Sequence, residues 1–142
     1  MRQRVVVVVK RSAYSRFIEQ EQDVRARRLL KRRDPTVVRW PRAHRDHLRT
    51  VELVVHELER LGADVTVVRR AHAAFDTDGA ALVVAVGGDG TLLGASHNVG
   101  ATPILGVNSA PGFSVGFFCG ADPRTARQML ARGLDGTLPG VS

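Results

Sequence analysis

The amino-acid sequence predicts an α/β domain built on a doubly wound, mostly parallel sheet. Two stretches, 5–9 and 81–86, are apolar throughout, which is typical of strands buried on both faces by flanking helices. Segments with helical periodicity alternate with such strands, which is the order of a parallel α/β fold. Ligands bind such sheets at the carboxyl ends of the strands, so the residues that follow each strand are the candidates for function.

The predicted strands and helices alternate along most of the chain. Strands are predicted at 5–9, 64–68, 81–86 and 102–107, and helices at 15–33, 44–61, 91–98 and 122–132. The helix at 44–61 has the clearest pattern, because its apolar residues recur at helical spacing and Gly62 stands where a C-terminal cap belongs. Residues 134–142 are polar and rich in turn formers, which indicates a linker after a domain of residues 1–133.

Two helix boundaries depend on single residues. Trp40 followed by Pro41 indicates an irregular connection, so the second long helix is expected to begin after it. Asp122 is the expected N-cap of the last helix, with Pro123 at its first position.

Composition describes one domain of ordinary globular character. The 142 residues are 44% hydrophobic and 25% charged, and no apolar run reaches the ~18 residues that a membrane span needs. The only cysteine, Cys119, cannot form a disulfide within the chain and is expected to be a small hydrophobic core residue. The N-terminus is basic and then apolar, but its apolar run is too short for a secretory signal. A cytoplasmic protein without a membrane partner is therefore expected.

Positive charge is concentrated in the first third of the chain. Residues 1–50 carry 15 Lys/Arg and 5 Asp/Glu, a net charge of +10, whereas residues 51–142 carry 6 and 9, a net charge of −3. This asymmetry predicts an anionic partner. Nucleic acid is not expected, because the excess is arginine without interleaved aromatic residues, and the chain has one Trp and one Tyr. Small phosphorylated ligands fit at least as well, and a solvated helix face is the alternative.

The segment that carries the most chemical information follows the predicted strand at 81–86. It reads Gly87-Gly88-Asp89-Gly90-Thr91, and its glycines permit backbone angles that side chains forbid. Thr91 is expected to cap the helix that follows. Such a turn presents backbone N–H groups at a helix N-terminus, where they can hold phosphate oxygens. Asp89 has the only reactive side chain in the turn, and a carboxylate at that place could accept the proton of an attacking hydroxyl.

Three other interpretations of this turn fit less well. Asp-Gly is a common hairpin turn, but residues 91–98 have helical rather than alternating character. Glycines at 88, 90 and 94 resemble a dinucleotide fingerprint, yet the next acidic residue, Asp122, lies 33 residues after Asp89 rather than the ~20 that the motif needs. No Gly-Lys-Ser or Gly-Lys-Thr occurs, which excludes a Walker-type phosphate loop.

Three linked segments resemble the NAD kinase family. They are Val86-Gly-Gly-Asp-Gly-Thr-Leu-Leu93, Pro103-Ile-Leu-Gly-Val-Asn108 and Gly116-Phe117-Phe118, in the order and at nearly the spacing of that family. Ala95-Ser96-His97, Gly106-Val-Asn-Ser109 and Lys10-Arg-Ser-Ala-Tyr14 are most similar to its organellar NAD(H) kinase branch. The resemblance is strong over 82–118 and weak over 15–80. It implies a Rossmann-like fold, similar to the N-terminal domain of phosphofructokinase.

The same resemblance implies a phosphotransferase of NADP biosynthesis. Such an enzyme uses ATP and Mg²⁺ to phosphorylate the 2′-hydroxyl of the adenosine ribose of NAD or NADH. It implies that Asp89 is the general base and that Gly90 lies against the dinucleotide. Gly87, Gly88 and Thr91 then form the phosphate-holding turn, and Leu92 is a further candidate for nucleotide binding. Magnesium is expected to be held mainly through the phosphates, without a metal site formed by the protein.

Further residues are candidates for nucleotide contacts. Phe117 is expected near the adenine or, alternatively, in the core. Asn108 ends a predicted strand at the ligand edge, where it orients the substrate or the turn. His97 faces the site or lies exposed on its helix. Lys10 and Arg11 follow the first strand at the same edge of the sheet, where they contact ATP phosphates or are solvated.

Members of the family continue into a second, mostly β domain with an Asn-Glu pair, and no Asn-Glu dipeptide occurs here. We therefore expect this chain to lack that domain and to have little or no activity alone. The full two-domain protein is expected to be a homo-oligomer that binds NAD(H) and ATP. A diacylglycerol or sphingosine-type lipid kinase shares the turn, and a non-catalytic nucleotide-binding module is a further alternative. The choices between NAD and NADH and between ATP and polyphosphate stay open.

Overall fold

The computed structural model describes residues 2–11, 15–69, 75–111 and 119–138 of the chain. The strands in these ranges are β1 (Arg4–Val9), β2 (Asp64–Val68), β3 (Ala80–Gly87) and β4 (Ile104–Asn108). The α-helices are α1 (Val24–Lys31), α2 (Trp40–Arg60), α3 (Asp89–Ser96) and α4 (Ala126–Asp135), and a π-helical segment, Ser15–Gln20, precedes α1.

The four strands form one parallel sheet in the order β2-β1-β3-β4. After β1 the chain forms β2 at one edge of the sheet. It then adds β3 and β4 on the other side of β1. The strand order therefore reverses between β1 and β3, and crevices at such a point bind ligands in open α/β sheets. A parallel bridge between Val107 and Ala121 extends the sheet beyond β4. The predicted doubly wound parallel α/β fold is confirmed.

Helices cover both faces of the sheet, which explains why β1 is an unbroken run of valines after Arg4. Because successive side chains of a strand point to opposite faces, Val5, Val7 and Val9 lie in one core and Val6 and Val8 in another. The first core contains the α2 and α4 residues Val54, Leu58, Ala126 and Leu130. The second contains Ala95 of α3. Burial on both faces leaves the ends of the strands as the places where a ligand can reach the sheet.

The long helix α2 begins earlier than the sequence indicates. The irregular connection expected at Trp40 and Pro41 is wrong, because these residues form the first turn of α2. Proline fits there, because backbone N–H groups in the first turn have no partner within the helix, so the absent N–H of proline costs no hydrogen bond. Trp40 also stacks on Phe17, with 5.4 Å between the ring centroids. At the other end Gly62, with a φ of 84°, confirms the expected C-terminal cap.

The single helix expected at 15–33 is interrupted. Gln22 has a left-handed φ of 49°, and the carboxylate of Asp23 accepts a hydrogen bond from the N–H of Ala26 at 2.8 Å. Asp23 is therefore the N-cap of a new helix, α1, because aspartate side chains bond to nearby backbone and favour helix starts over helix interiors.

The last two helices also begin at residues other than those expected. Gly88 rather than Thr91 is the N-cap of α3, and Thr91 is buried within the first turn. Asp122 is not the N-cap of α4 and Pro123 is not in the helix, because α4 begins after Thr125. The Asp122 carboxylate instead accepts a hydrogen bond from the N–H of Thr125 at 3.3 Å. Aspartate closes such turns with its own following backbone as readily as it caps a helix.

The end of the described chain packs against the rest of the domain. α4 continues to Asp135, and Gly136 ends it with a left-handed φ of 79°. Leu138 then lies buried in the core that α2 and α4 share. The linker role expected for 134–142 therefore stays a prediction for the residues after Leu138, which lie outside the described ranges.

Two leucines of α2 test the packing of this helix. Leu58 is fully buried in the core, whereas Leu48 is 46% exposed on the same helix. We expect Leu58→Ala to lower the free energy of unfolding by about 2–5 kcal/mol, because it leaves a cavity. Leu48→Ala should change it by less than about 0.5 kcal/mol. Urea denaturation measures both, and equal losses would contradict the packing described here.

Candidate active site

The ends of β1, β3 and β4 meet at one edge of the sheet. The N–H of Lys10, the first residue after β1, donates a hydrogen bond to the carbonyl of Val86 at 3.0 Å. The N–H of Ser109, the first residue after β4, donates to the carbonyl of Gly87 at 2.9 Å. Gly87 therefore lies between the ends of its two neighbouring strands, where the strand order reverses.

Gly87 is a glycine because its neighbours leave no room for a side chain. A Cβ added to Gly87 would lie 2.8 Å from the Cβ of Lys10 and 2.5 Å from the Oγ1 of Thr91. The expectation that the glycines of the turn supply unusual backbone angles is wrong, since Gly87, Gly88 and Gly90 all lack a positive φ. At Gly87 the requirement is close approach of two chain segments, which is a further use of glycine.

The turn leads directly into α3 with Asp89 as the first helical residue. The first internal hydrogen bond of α3 runs from the N–H of Leu92 to the carbonyl of Gly88 at 3.1 Å. The backbone amides before it point out of the helix end, where the helix dipole favours an anion. Asp89 is partly exposed at this end. The structure therefore places the expected carboxylate and the expected phosphate-holding amides together.

Cys119 contacts Asp89, which sequence reasoning did not foresee. The chain from Cys119 runs beside β4, because the N–H of Ala121 donates to the carbonyl of Gly106 at 3.0 Å. A Cβ on Gly106 would lie 3.2 Å from the Cys119 Sγ, so a glycine gives the thiol its space. Burial, the charge of Asp89 and a hydrogen bond to Asp89 together raise the pKa of the Cys119 thiol to about 11. The thiol stays protonated and donates to the carboxylate, so its expected role as a plain core residue is wrong.

Asn108 and Thr91 lie beneath the surface of the site. Asn108, the last residue of β4, is 4% exposed, and its Oδ1 accepts a hydrogen bond from the N–H of Ala110 at 3.2 Å. This agrees with a role in orienting the turn after β4. Thr91 is 7% exposed and packs against Gly87 from below. Leu92 packs into the core on the α3 side of the sheet.

The remaining expected site residues are placed in three different ways. Lys10 and Arg11 are exposed at the end of β1, beside the turn. His97 follows the last residue of α3 and is exposed, about 12 Å along the helix from Asp89, so it is not brought together with the turn. Phe117 lies outside the described residues.

His47 of α2 is a second residue that sequence reasoning did not identify. It is 4% exposed, and its ring nitrogens contact the carbonyl of Lys10 and the Oγ of Ser109, each at 2.7 Å. Burial lowers the pKa of His47 to about 4, although the hydrogen bond to the carbonyl of Lys10 acts to raise this pKa. The ring is therefore neutral at physiological pH. His47 and Thr50 are three residues apart on the buried face of α2. Such spacing is typical of core positions, so the sequence pattern did not mark His47 as a functional residue.

A cavity of about 270 Å³ lies on the other side of this network, between α2 and the start of α4. Ser109, Thr50 and Arg49 are among its lining residues, and no residue of the turn lines it. The candidate site is therefore defined by the strand ends and the helix terminus rather than by this cavity. Within the described ranges, no group of three or more His, Cys, Asp or Glu side chains could hold a metal ion.

A parallel, doubly wound α/β domain with a glycine turn and a helix N-terminus at its reversal point is the arrangement of nucleotide-binding folds. Residues 4–138 match the family model described as the ATP-NAD kinase N-terminal domain. The chain belongs to the NAD kinase family, as the three linked segments indicated.

Curated relatives of this chain carry NAD kinase names. A protein of Oryza sativa subsp. japonica named "Probable NADH kinase" is 35% identical over 109 residues, which cover 66% of this chain and 34% of that protein. The human "NAD kinase 2, mitochondrial" is 33% identical over 126 residues, covering 82% of this chain and 28% of that protein. The rat protein of the same name is also 33% identical, with 29% of it covered. The matched part of this chain thus spans about a third of the length of these relatives.

A pair of glycine substitutions tests the close approach at the turn. We expect Gly87→Ala to lower the free energy of unfolding by about 1–3 kcal/mol, because the added methyl meets Lys10 and Thr91. A Cβ on Gly90 would meet nothing within 4 Å, so Gly90→Ala should be neutral or stabilise α3 by up to about 1 kcal/mol. Thermal denaturation compares the two, and equal tolerance at both positions would contradict the geometry.

The contact between Cys119 and Asp89 predicts a change in thiol reactivity. Burial, and after it the charge and hydrogen bond of Asp89, raise the pKa of the Cys119 thiol, so Asp89→Asn should lower this pKa in part and speed alkylation by iodoacetamide at pH 9 by about three- to tenfold. The chain has one cysteine, so the rate reports Cys119 alone. Asp64→Asn, at the exposed amino end of β2, is the matched control. An unchanged rate in Asp89→Asn would show that the two side chains do not interact.

Proposed function

We propose that this chain is the nucleotide-binding domain of an NAD kinase, which transfers a phosphoryl group from ATP to the 2′-hydroxyl of the adenosine ribose of NAD or NADH. The observation that carries the proposal is the position of Asp89. This carboxylate stands at the N-terminus of α3, at the reversal point of the sheet, beside amides that can hold phosphate. Membership of the NAD kinase family supports the proposal.

In the proposed reaction, Asp89 accepts the proton of the ribose 2′-hydroxyl as its oxygen attacks the γ-phosphorus of ATP. A bond forms between that oxygen and the phosphorus, the bond from the phosphorus to the β–γ bridging oxygen breaks, and ADP leaves. The thiol of Cys119 donates its hydrogen bond to one of the several acceptor sites of the Asp89 carboxylate. The other acceptor sites stay available for the hydroxyl of the substrate.

The charged groups around the turn fit the phosphates of the two substrates. The start of α3 supplies backbone amides, and Lys10 and Arg11 lie exposed on the neighbouring strand end, where they contact ATP phosphates in this proposal. Magnesium that accompanies ATP neutralises charge on the phosphates when it is bound. Mg²⁺ commonly keeps several waters and uses few protein ligands, so phosphate oxygens would be its main ligands here.

Two alternatives differ in what they predict. A diacylglycerol or sphingosine-type lipid kinase shares the turn, but the family match and the names of the relatives favour the NAD kinases. A domain that binds nucleotide without turnover would bind ATP and form no NADP(H). The relatives' names include both NAD and NADH kinases, so the preference between the two acceptors stays open.

Location and assembly also stay predictions. Within the described ranges, no helix is long and apolar enough to cross a membrane. The human relative is named mitochondrial, which does not agree with the cytoplasmic location expected from the sequence. A homo-oligomeric full-length protein is proposed from the family resemblance alone.

The test is NADP(H) formation by the full-length gene product with ATP and NAD or NADH, coupled to an NADP-dependent dehydrogenase. We expect Asp89→Asn to lower kcat by about 10²–10⁴-fold, because the general base is lost, while NAD affinity changes little. Asp64→Asn, at the opposite end of the sheet, should keep wild-type activity. Activity that survived Asp89→Asn would remove the base assignment, and a wild-type protein that phosphorylated only lipids would overturn the proposed reaction.

A further inference from the structure

The buried His47 joins the ends of two strands that are not neighbours in the sheet. The carbonyl oxygen of Lys10 can only accept a hydrogen bond, so the His47 Nε2 must carry the proton in the contact at 2.7 Å. With Nε2 protonated and the ring neutral, Nδ1 accepts the hydrogen bond from the Ser109 hydroxyl, also at 2.7 Å. The surroundings thus select one tautomer of one buried ring.

Both contacts of His47 lead to Gly87. On one side, the Cβ of Lys10 stands 2.8 Å from the place that a side chain of Gly87 would need. On the other side, the N–H of Ser109 donates to the carbonyl of Gly87 at 2.9 Å. A closed ring of contacts therefore runs from His47 through Lys10 to Gly87 and back through Ser109. The glycine of the proposed phosphate turn lies across this ring from the histidine.

The ring lies where the hydrogen-bond ladder of the sheet stops. β1 ends at Val9 and β4 at Asn108, so Lys10 and Ser109 are the first residues beyond the strands. The hydroxyl of Thr50, one turn after His47 on α2, shares its one proton between the carbonyl of Asp46 at 2.8 Å and the carbonyl of Ser109 at 3.2 Å. α2 therefore contacts Ser109 at its hydroxyl and at its carbonyl, and the N–H of Ser109 bonds to the sheet at Gly87.

We propose that His47 is a positioning residue that fixes the ends of β1 and β4 on either side of the Gly87 turn. His47 is buried beneath the strand ends and touches none of the proposed substrates. It acts by holding the backbone of Lys10, which directs the Lys10 side chain, and by holding Ser109 against the turn. Its consequence for nucleotide binding rests on the proposed function, whereas the positioning itself does not.

Substitutions at position 47 can separate the two contacts. His47→Gln places an amide N–H near the position of Nε2 and keeps the donor to Lys10, whereas His47→Asn places an oxygen near Nδ1 and keeps the acceptor for Ser109. His47→Ala keeps neither, and Ser109→Ala removes one contact without a change in α2. Glu57→Gln is the matched control, because Glu57 is a buried polar residue of the same helix whose partners, Arg60 and Arg127, are elsewhere.

The first measurement is amide hydrogen exchange of this chain by NMR. The amides of Lys10 and Ser109 donate to the carbonyls of Val86 and Gly87. In His47→Ala we expect these two amides to exchange about tenfold faster relative to the β1 and β3 interior amides, because the strand ends open more readily without the hydrogen bonds of His47 to the Lys10 carbonyl and the Ser109 hydroxyl. His47→Gln should restore protection at Lys10 only, and His47→Asn at Ser109 only. Glu57→Gln should raise exchange evenly. If exchange in His47→Ala rose equally at all amides, the proposal would be overturned. If His47→Ala does not fold, Ser109→Ala is the test, and the exchange rate of the Ser109 amide decides.

The second measurement is the affinity for ATP by calorimetry, at a temperature where every variant is folded. We expect His47→Ala to bind ATP about tenfold more weakly than Glu57→Gln, because a misplaced Lys10 and turn bind phosphate less well. Equal ATP affinities of His47→Ala and Glu57→Gln would overturn the inference that His47 affects nucleotide binding. A wild-type chain that does not bind ATP, together with selective exchange at Lys10 and Ser109, would count against the proposed function and leave the positioning intact.

Discussion

Three chain segments converge on Gly87, where the space is too small for any side chain, and the candidate site depends on that convergence. Lys10 and Thr91 approach the glycine from two sides, and Ser109 bonds to its carbonyl. A larger residue would have to move β1 away from β3 or tilt the start of α3. Either movement would separate the carboxylate of Asp89 from the exposed cations after β1. Packing at one backbone position thus controls the arrangement of the charged groups.

The rest of the fold keeps this point of convergence in place. Valines buried on both faces of β1 fix the strand between two cores, so its end has little freedom. α2 crosses behind the sheet and extends the support beyond the last ladder hydrogen bonds through His47 and Thr50. Cys119 supports the other side, where it donates to Asp89 from the segment beside β4. Polar contacts hold the strand ends where apolar packing gives way to solvent.

The sequence predicts the elements more accurately than their contacts. The predicted bounds of all four strands agree with the structure within a few residues. The signal is clearest for β1 and β3, whose burial on both faces leaves an apolar run, whereas β2 is an edge strand with exposed residues. The structure places Asp89 at the start of α3, directly after Gly88, which follows β3, and its role as general base stays a prediction. The helix starts predicted at 44 and at 122 are wrong, because Trp40-Pro41 and Asp122 fit a turn and a helix equally well. His47 and Cys119 were missed for another reason, since their partners Ser109 and Asp89 are distant in sequence, and local periodicity carries no information about such pairs.

The proposed function requires nucleotide phosphate to bind at the junction of the Gly87 turn, α3 and the end of β1. The most direct measurement is a titration of the ¹⁵N-labelled chain with ATP, followed by amide chemical shifts. If phosphate binds at this junction, the largest shifts fall on residues 87–91 and on Lys10 and Arg11. If the largest shifts fell instead on the arginine-rich helix α1, or at the amino ends of the strands, phosphate would bind elsewhere and the proposed site would be wrong.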